Sequence, residues 1–371
     1  MKSANIAYLP QIDHLRALAA IWIVIYHGEQ ILGSVLRYGK PFLGEWVITK
    51  NFFYSMVIEG HTAVALFMVL SGFIFTYGAY GKKIIYKYFL LNRLLRIYPL
   101  YILLIFVGMA SNASGFSLLD FAANVLPLAD FKTVSGGPFV SMSWAVAVEF
   151  QFYLIFPFIL VAVNRIGPKA VVGLVAVAIL FRVLGVLAGG DITDLTYWHL
   201  TGRIDQFLLG MLAAIGARTI SITPKAALIG LISSAVMLIA LLFAFNQTGG
   251  WPAKHAWKII WPTVEGCVYG LIVFFYTSIH ITPASLISRG FSAIGECSFS
   301  IYLLHFVIIT IFSTRPEWLI SFTLSPALNA LISVVCIILP VTLGIAFLTF
   351  RVIEKPMLDL RFKYLQNNVS G

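Results

Sequence analysis

The sequence is poor in charge. Of its 371 residues only 11% are Asp, Glu, Lys or Arg, less than half the roughly 25% usual in soluble domains, which excludes a chain whose solvent is water. Cysteine is scarce too. Cys267, Cys297 and Cys336 stand far apart, with neither the even number of a disulfide framework nor the short spacing of a zinc site, so buried free thiols and no metal are expected. There is no G-x-S-x-G elbow, H-E-x-x-H pair, Walker A loop or dinucleotide fingerprint, which removes the commoner sequence routes to hydrolase, zinc-protease, NTPase and NAD(P) chemistry. Internal repeats, low-complexity tracts and polar linkers are missing as well, so residues 1–371 are expected to form one integral-membrane domain with no fused soluble domain. The first apolar run is too long for a signal-peptide core and carries no small-residue cleavage site, so it is expected to be retained.

What is abundant is apolar. Hydrophobic residues make up 60% of the chain, and the mean hydropathy is +0.93. Apolar runs recur near 15–36, 59–80, 97–112, 142–163, 169–188, 204–217, 226–246, 263–280, 297–315 and 328–350. They predict an all-α polytopic bundle of about ten transmembrane helices. The runs at 97–112 and 204–217 are short for a hydrocarbon core of roughly 30 Å and need their flanks to span it. With the amino terminus inside, sixteen Lys and Arg residues, from Lys2 to Lys363, fall on inner segments; eight, Lys132 among them, fall on outer ones, and Arg182 lies within a span. That bias puts both termini in the cytoplasm, so the net charge of +10 reads as topology and not as a nucleic-acid footprint. Seven of the eight Trp fall at outer helix ends, as an interfacial aromatic belt would place them. Gly185/Gly189 and Gly266/Gly270 match G-x-x-x-G, a pattern of close helix packing.

Ionisable groups at membrane depth are costly and usually functional. In IDHLRALAAIWIVIYH, Arg16 and His27 are eleven residues apart, close to three helical turns, so they share a face, with His27 about 16 Å along the axis from Arg16. Asp13 lies on the same side, three residues before Arg16. A neutral imidazole can take a proton from a hydroxyl and return it, which makes His27 a candidate general base; the bland alternative is an interhelical hydrogen bond. Glu149, with Tyr153 one turn on, is a second deep group. It could pair with an arginine, orient His27 or hold a substrate hydroxyl. His305 stands near the middle of its run, open to a structural or a site role. Arg93 and Arg96, at i and i+3 before a span, could bind phosphate oxygens from the cytoplasm, or serve only lipid headgroups and topology. Arg203 and Asp205 in GRIDQFLLG read best as an interfacial salt bridge, with contact to a polar acceptor as the other reading.

Together these stretches resemble the acyltransferase 3 family of membrane O-acyltransferases, over nearly the whole chain. The segments, in order, are IDHLRALAAIWIVIYH, LFMVLSGFIFTYG, NRLLRIYP, SWAVAVEFQFYLIFP, GRIDQFLLGMLAA, GECSFSIYLLHF and a closing VIEKP. The resemblance implies a helix bundle that takes an acetyl or similar acyl group from cytoplasmic acyl-coenzyme A and passes it, usually, to a carbohydrate. It implies that His27 is the essential histidine, Arg16 its basic partner, Arg93 and Arg96 the inner arginine motif and Glu149 the motif glutamate; Asp13 and Ser71 fall on matched positions. His14 stands where the family commonly has glycine, and NRLLR holds fewer arginines than many members' segment. The hydrolase-fold domain fused to some relatives is not expected here.

The expectation is therefore a membrane O-acyltransferase of the bacterial inner membrane. Acetyl-CoA, or another acyl-CoA, would be held by Arg93, Arg96 and Ser71, and the acceptor, a glycan or lipid-linked carbohydrate, by Tyr153, Arg203 and His305. His27, oriented by Asp13, Arg16 or Glu149, would act as general base or carry the acyl group. Membrane lipids, a second copy of the chain or a separate periplasmic acyl-acceptor protein are further partners, and nucleic acid is not. Two other readings stand beside this one. A secondary transporter or flippase of a glycan-linked solute often shows paired interrupted helices in related halves, a symmetry the sequence does not display. A structural envelope subunit would use the same polar residues only for helix contacts.

Overall fold

The computed structural model describes residues 5, 8–41, 46–112, 115–131, 137–282 and 285–367; Lys2 and Lys132 lie outside them. An apolar chain that must satisfy every backbone N–H and C=O without water does so in helices, and 78% of this one is helical. The helices are α1 (Pro10–Tyr38), α2 (Phe52–Ile58), α3 (Ala63–Ala79), α4 (Tyr86–Ser111), α5 (Leu118–Val125), α6 (Ser143–Ile166), α7 (Pro168–Leu187) and α8 (Ile192–Tyr197). They continue as α9 (Leu200–Thr219), α10 (Pro224–Gln247), α11 (Trp261–Thr277), α12 (Leu286–Glu296), α13 (Ser298–Ser313), α14 (Pro326–Ser333), α15 (Leu339–Thr349) and α16 (Lys355–Leu358). The last three run on as one span through the π-helical stretches Val334–Ile338 and Phe350–Glu354.

Among the described residues, eight helices are long and apolar enough to cross a membrane, or nine if the pair α12–α13, bent by 67°, is one span. The expected ten is thus not reached. α9 contains the expected 204–217 run, but Arg203, Asp205 and Gln206 make it too polar to qualify. The short run at 97–112 resolves the other way: α4 begins in the basic segment at Tyr86 and is 26 residues long. Residues expected to be an inner connection form α12. Its Gly295 packs so closely on α1 that a methyl group there would overlap the Asp13 carbonyl.

Hydropathy does not tell inside from outside. α7 and α10 are the more apolar helices, yet their outward residues, such as Phe181, Leu184, Ile229 and Ile232, face away from the protein. α3 is less apolar and 83% buried. It crosses α9 where Gly72 meets the Phe207 carbonyl and Gly210 meets the Val69 carbonyl, a contact no larger residue would permit. Of the two G-x-x-x-G pairs, Gly266/Gly270 does pack on α9 at Leu209. Gly185/Gly189 is not a helix face, because Gly189 lies beyond the end of α7 at φ 89°.

The basic end is tied together by polar clasps. Strands β1 (Lys82–Ile84) and β2 (Leu365–Asn367) pair antiparallel, and buried Asn92 of α4 exchanges two hydrogen bonds with the backbone of Phe362, each 2.8 Å. At the opposite end Trp144, Trp198, Trp251 and Trp46 pack in tilted and edge-to-face contacts around Tyr197 and His61. Only Cys297 is a buried thiol. Cys267 and Cys336 lie on the outer surface of the bundle, where apolar surroundings would be lipid and not protein.

Candidate active site

α1, α3, α4, α6 and the α12–α13 bend surround a cavity at the basic end. Two compartments share Arg16, Phe75, Arg93 and Arg96; one reaches the tail at Arg361 and Tyr364, and the deeper one reaches Ser71, Glu149, Tyr153 and Tyr302. Arg93 and Arg96, one turn apart on α4, both line it. Their surroundings differ. Arg96 Nη1 donates to Glu354 Oε2 at 3.0 Å, and Glu354, fully buried in the second π stretch, also accepts from Ser300. Arg93 lies over the Phe75 ring at 4.7 Å and near the Tyr153 ring at 5.8 Å. It makes no hydrogen bond or ion pair among the described residues, and its Nε is buried without a partner. Burial, with Arg93 and Arg96 close by, pushes the Arg361 guanidinium below its ordinary value; an anion among these groups would relieve that cost.

Arg16 and Glu149, in the same cavity, are already engaged. Arg16 lies 3.6 Å from Asp13. Glu149 accepts from Ser71 Oγ at 2.7 Å and from the Tyr153 hydroxyl; it pairs with no arginine and does not bond His27. His14, where a glycine was the family expectation, binds the Tyr276 hydroxyl at 2.9 Å and Ser288 Oγ at 3.0 Å, fastening α1 to α11 and α12.

His27 sits three turns along α1 from Arg16, and the group that orients it is His305, not Asp13, Arg16 or Glu149. His27 Nδ1 and His305 Nε2 are 2.9 Å apart. His305 Nδ1 lies 3.2 Å from the Ile301 carbonyl, which only accepts, so that nitrogen carries the hydrogen. A neutral His305 then offers a lone pair at Nε2, and His27 must donate through Nδ1. The lone pair of His27 is left on Nε2, in a half-buried ring. His27 does not itself line the arginine cavity. Tyr302 stands between them: it lines the deeper compartment, its ring is 5.8 Å from that of His305, and its hydroxyl is buried without a partner.

The expected Arg203–Asp205 salt bridge does not form, because each residue faces a different neighbour. Asp205 takes Arg182 at 2.8 Å. Arg203 lies 3.5 Å from Glu265 and over the Tyr197 ring at 4.1 Å, at the end far from the arginine cavity. Tyr302, Glu354, Ser300 and Asn92 were not singled out by sequence. Tyr302 could have been, since it lies one turn before His305 on the same face, and Glu354 stands within VIEKP.

The family model described as the acyltransferase domain of the acyltransferase 3 family matches residues 9–351. The chain belongs to this acyltransferase family. It is 26% identical to the peptidoglycan O-acetyltransferase OatA of Listeria monocytogenes, over 94% of this chain and 56% of that one. It is also 26% identical to the O-acetyltransferase OatA of Staphylococcus aureus, over 96% of this chain and 58% of that one. The chain therefore spans less than two thirds of the length of these curated relatives. No solved structure matches it.

Proposed function

We propose that the chain is a membrane O-acetyltransferase that moves an acetyl or other short acyl group from acyl-coenzyme A to a hydroxyl of a cell-envelope or secreted glycan. The observation that carries the reading is Arg93, a guanidinium on a cavity wall with aromatic neighbours and no polar partner. A buried donor left unsatisfied is costly, and the phosphates of coenzyme A would satisfy it. Arg16, Arg96 and Arg361 line the same cavity and would share those phosphates, while Ser71 and Tyr153 hold Glu149 in place beside the bound donor.

His27 supplies the chemistry. As general base, its Nε2 lone pair takes the proton of the acceptor hydroxyl while that oxygen attacks the thioester carbonyl. The tetrahedral intermediate expels the thiolate of coenzyme A, which takes the proton from His27. As acyl carrier, Nε2 itself attacks the carbonyl, the thiolate leaves, and the acceptor oxygen then displaces the imidazole while its proton passes to the thiolate, releasing free coenzyme A. His305 fixes the tautomer in both routes, and Tyr302, at the boundary between cavity and histidine pair, can donate its free O–H to the carbonyl oxygen that becomes negative. The bacterial inner membrane is the setting that fits these substrates. The test is to reconstitute the purified chain with radiolabelled acetyl-CoA and a glycan acceptor. Label passing to the glycan supports the reading, acyl-protein lost in His27→Ala identifies the carrier route, and solute accumulation without acetyl-CoA would instead indicate transport.

A further inference from the structure

The arginine cavity is too small for the donor proposed to fill it. Its two compartments are about 150 and 90 Å³. Even together they fall short of the roughly 300–1,000 Å³ of small-molecule sites, and coenzyme A is larger than most such ligands. A wall must therefore move before the donor enters. Most walls are held. α1 is fixed to α12 where Gly295 meets the Asp13 carbonyl, α3 to α9 at Gly72 and Gly210, and α4 through Arg96 to buried Glu354. One wall is different in kind. After Leu358, at the end of α16, the chain crosses the basic end as a strap, residues 359–367, and contributes Arg361 and Tyr364 to the outer compartment.

The strap is fastened by few bonds. Asn92 exchanges its two with Phe362. The Asn5 side chain donates to the Phe362 carbonyl at 3.0 Å and accepts from the Tyr364 N–H at 2.8 Å, and the Ile85 N–H donates to the Tyr364 carbonyl at 2.9 Å. The rest is the three-residue pairing of β1 with β2, too short to be stable alone. Each such bond is replaced by water on opening, at a small net cost. Little apolar surface is at stake: Tyr364, edge-on to Phe89, and Leu365 are buried, but Leu360, Phe362, Lys363 and Gln366 are exposed. Few buried contacts and a handful of exposed backbone bonds mark a segment that opens without the rest of the fold.

We propose that residues 359–367 form a lid on the arginine cavity, hinged after Leu358, which lifts from β1 to admit acyl-coenzyme A and closes to bring Arg361 and Tyr364 onto it. This rests on the reading of that cavity as the donor site. The test is a disulfide across the pairing. Lys83 and Gln366 stand directly opposite each other and both are exposed, at a cross-strand spacing a disulfide accepts. In purified full-length protein carrying Lys83→Cys and Gln366→Cys, oxidation should slow acetyl-CoA association and dissociation about tenfold or more, reduction should restore both, and oxidised wild type should be unchanged. Asn92→Ala, which removes both clasp bonds, should speed dissociation about tenfold. Equal rates in oxidised and reduced protein, or unchanged dissociation from Asn92→Ala, overturn the lid. Hydrogen exchange separates the lid from the donor reading. The amides of Ile85, Phe362 and Tyr364 should exchange together and faster than those inside α3, with or without acetyl-CoA; exchange as slow as α3 overturns the lid. If these amides open and the wild type binds no acetyl-CoA, the donor reading fails and the lid stands. If acetyl-CoA binds at rates the disulfide does not alter, the lid fails and the donor reading stands.

Discussion

Two arginine environments in this bundle look alike in sequence and behave as opposites. In the core between α7, α9 and α11, Arg182 is wholly buried and donates to Asp205 at 2.8 Å, Thr263 at 2.9 Å and the Gly202 carbonyl at 3.3 Å. In the cavity at the basic end, Arg93 donates to nothing among the described residues. Each leaves its Nε without a partner, but only Arg93 leaves its whole guanidinium available. A charge bonded on several sides holds helices together; a charge left on a cavity wall waits for a ligand. Arg96, one turn from Arg93, is intermediate: its Nη1 is paired with Glu354, yet it still lines the cavity.

Four substitutions separate a charge that holds helices from one that holds a ligand. The largest effect is expected from His27→Ala, which removes the reacting nitrogen: acetyl transfer from radiolabelled acetyl-CoA should fall by about 10²–10⁴-fold, with a modest loss of Tm because buried His305 loses its partner, and a near-wild-type rate would sink the proposed chemistry. Arg182→Met should come next, through the fold. It strands Asp205 as an unpaired buried charge, a loss of about 3–5 kcal/mol, read as a large drop in thermal unfolding temperature in detergent. Arg93→Met should leave that temperature alone and weaken acetyl-CoA binding by about 1.5–3 kcal/mol, the worth of one charged hydrogen bond; a loss of stability like that of Arg182→Met would erase the distinction. Tyr302→Phe is the smallest. Deleting an unsatisfied hydroxyl should keep or slightly raise Tm, while turnover falls about tenfold if that O–H meets the thioester oxygen, and unchanged turnover would remove Tyr302 from the mechanism.

Much of this organisation was legible in the sequence, because a bilayer imposes simple rules on length and hydropathy. Most spans and the basic segment that becomes the start of α4 follow from runs and hydropathy; Arg16, Arg93, Arg96, Ser71, Glu149 and Tyr153 stand out singly in the sequence, and only the structure brings them to one cavity. Pairing was not legible. Arg203 and Asp205 are two residues apart, which on a helix points them to different sides, so each met a partner on another helix. Glu149 found hydroxyls instead of an arginine, and the partner of His27 came from α13, 278 residues away. The Gly72–Gly210 crossing belongs to no local motif, since its halves lie on different helices.

Composition and the order of its motifs suffice to put this chain in lipid as a bundle of helices and among the acyltransferases, because both are local properties of the chain. Tertiary structure alone decided which buried charges are satisfied, which nitrogen of His27 keeps its lone pair, and where polar groups are left unbonded. The physical reason is that hydrogen-bond satisfaction depends on groups brought together from distant helices, at ångström precision that no spacing along one strand of sequence can encode.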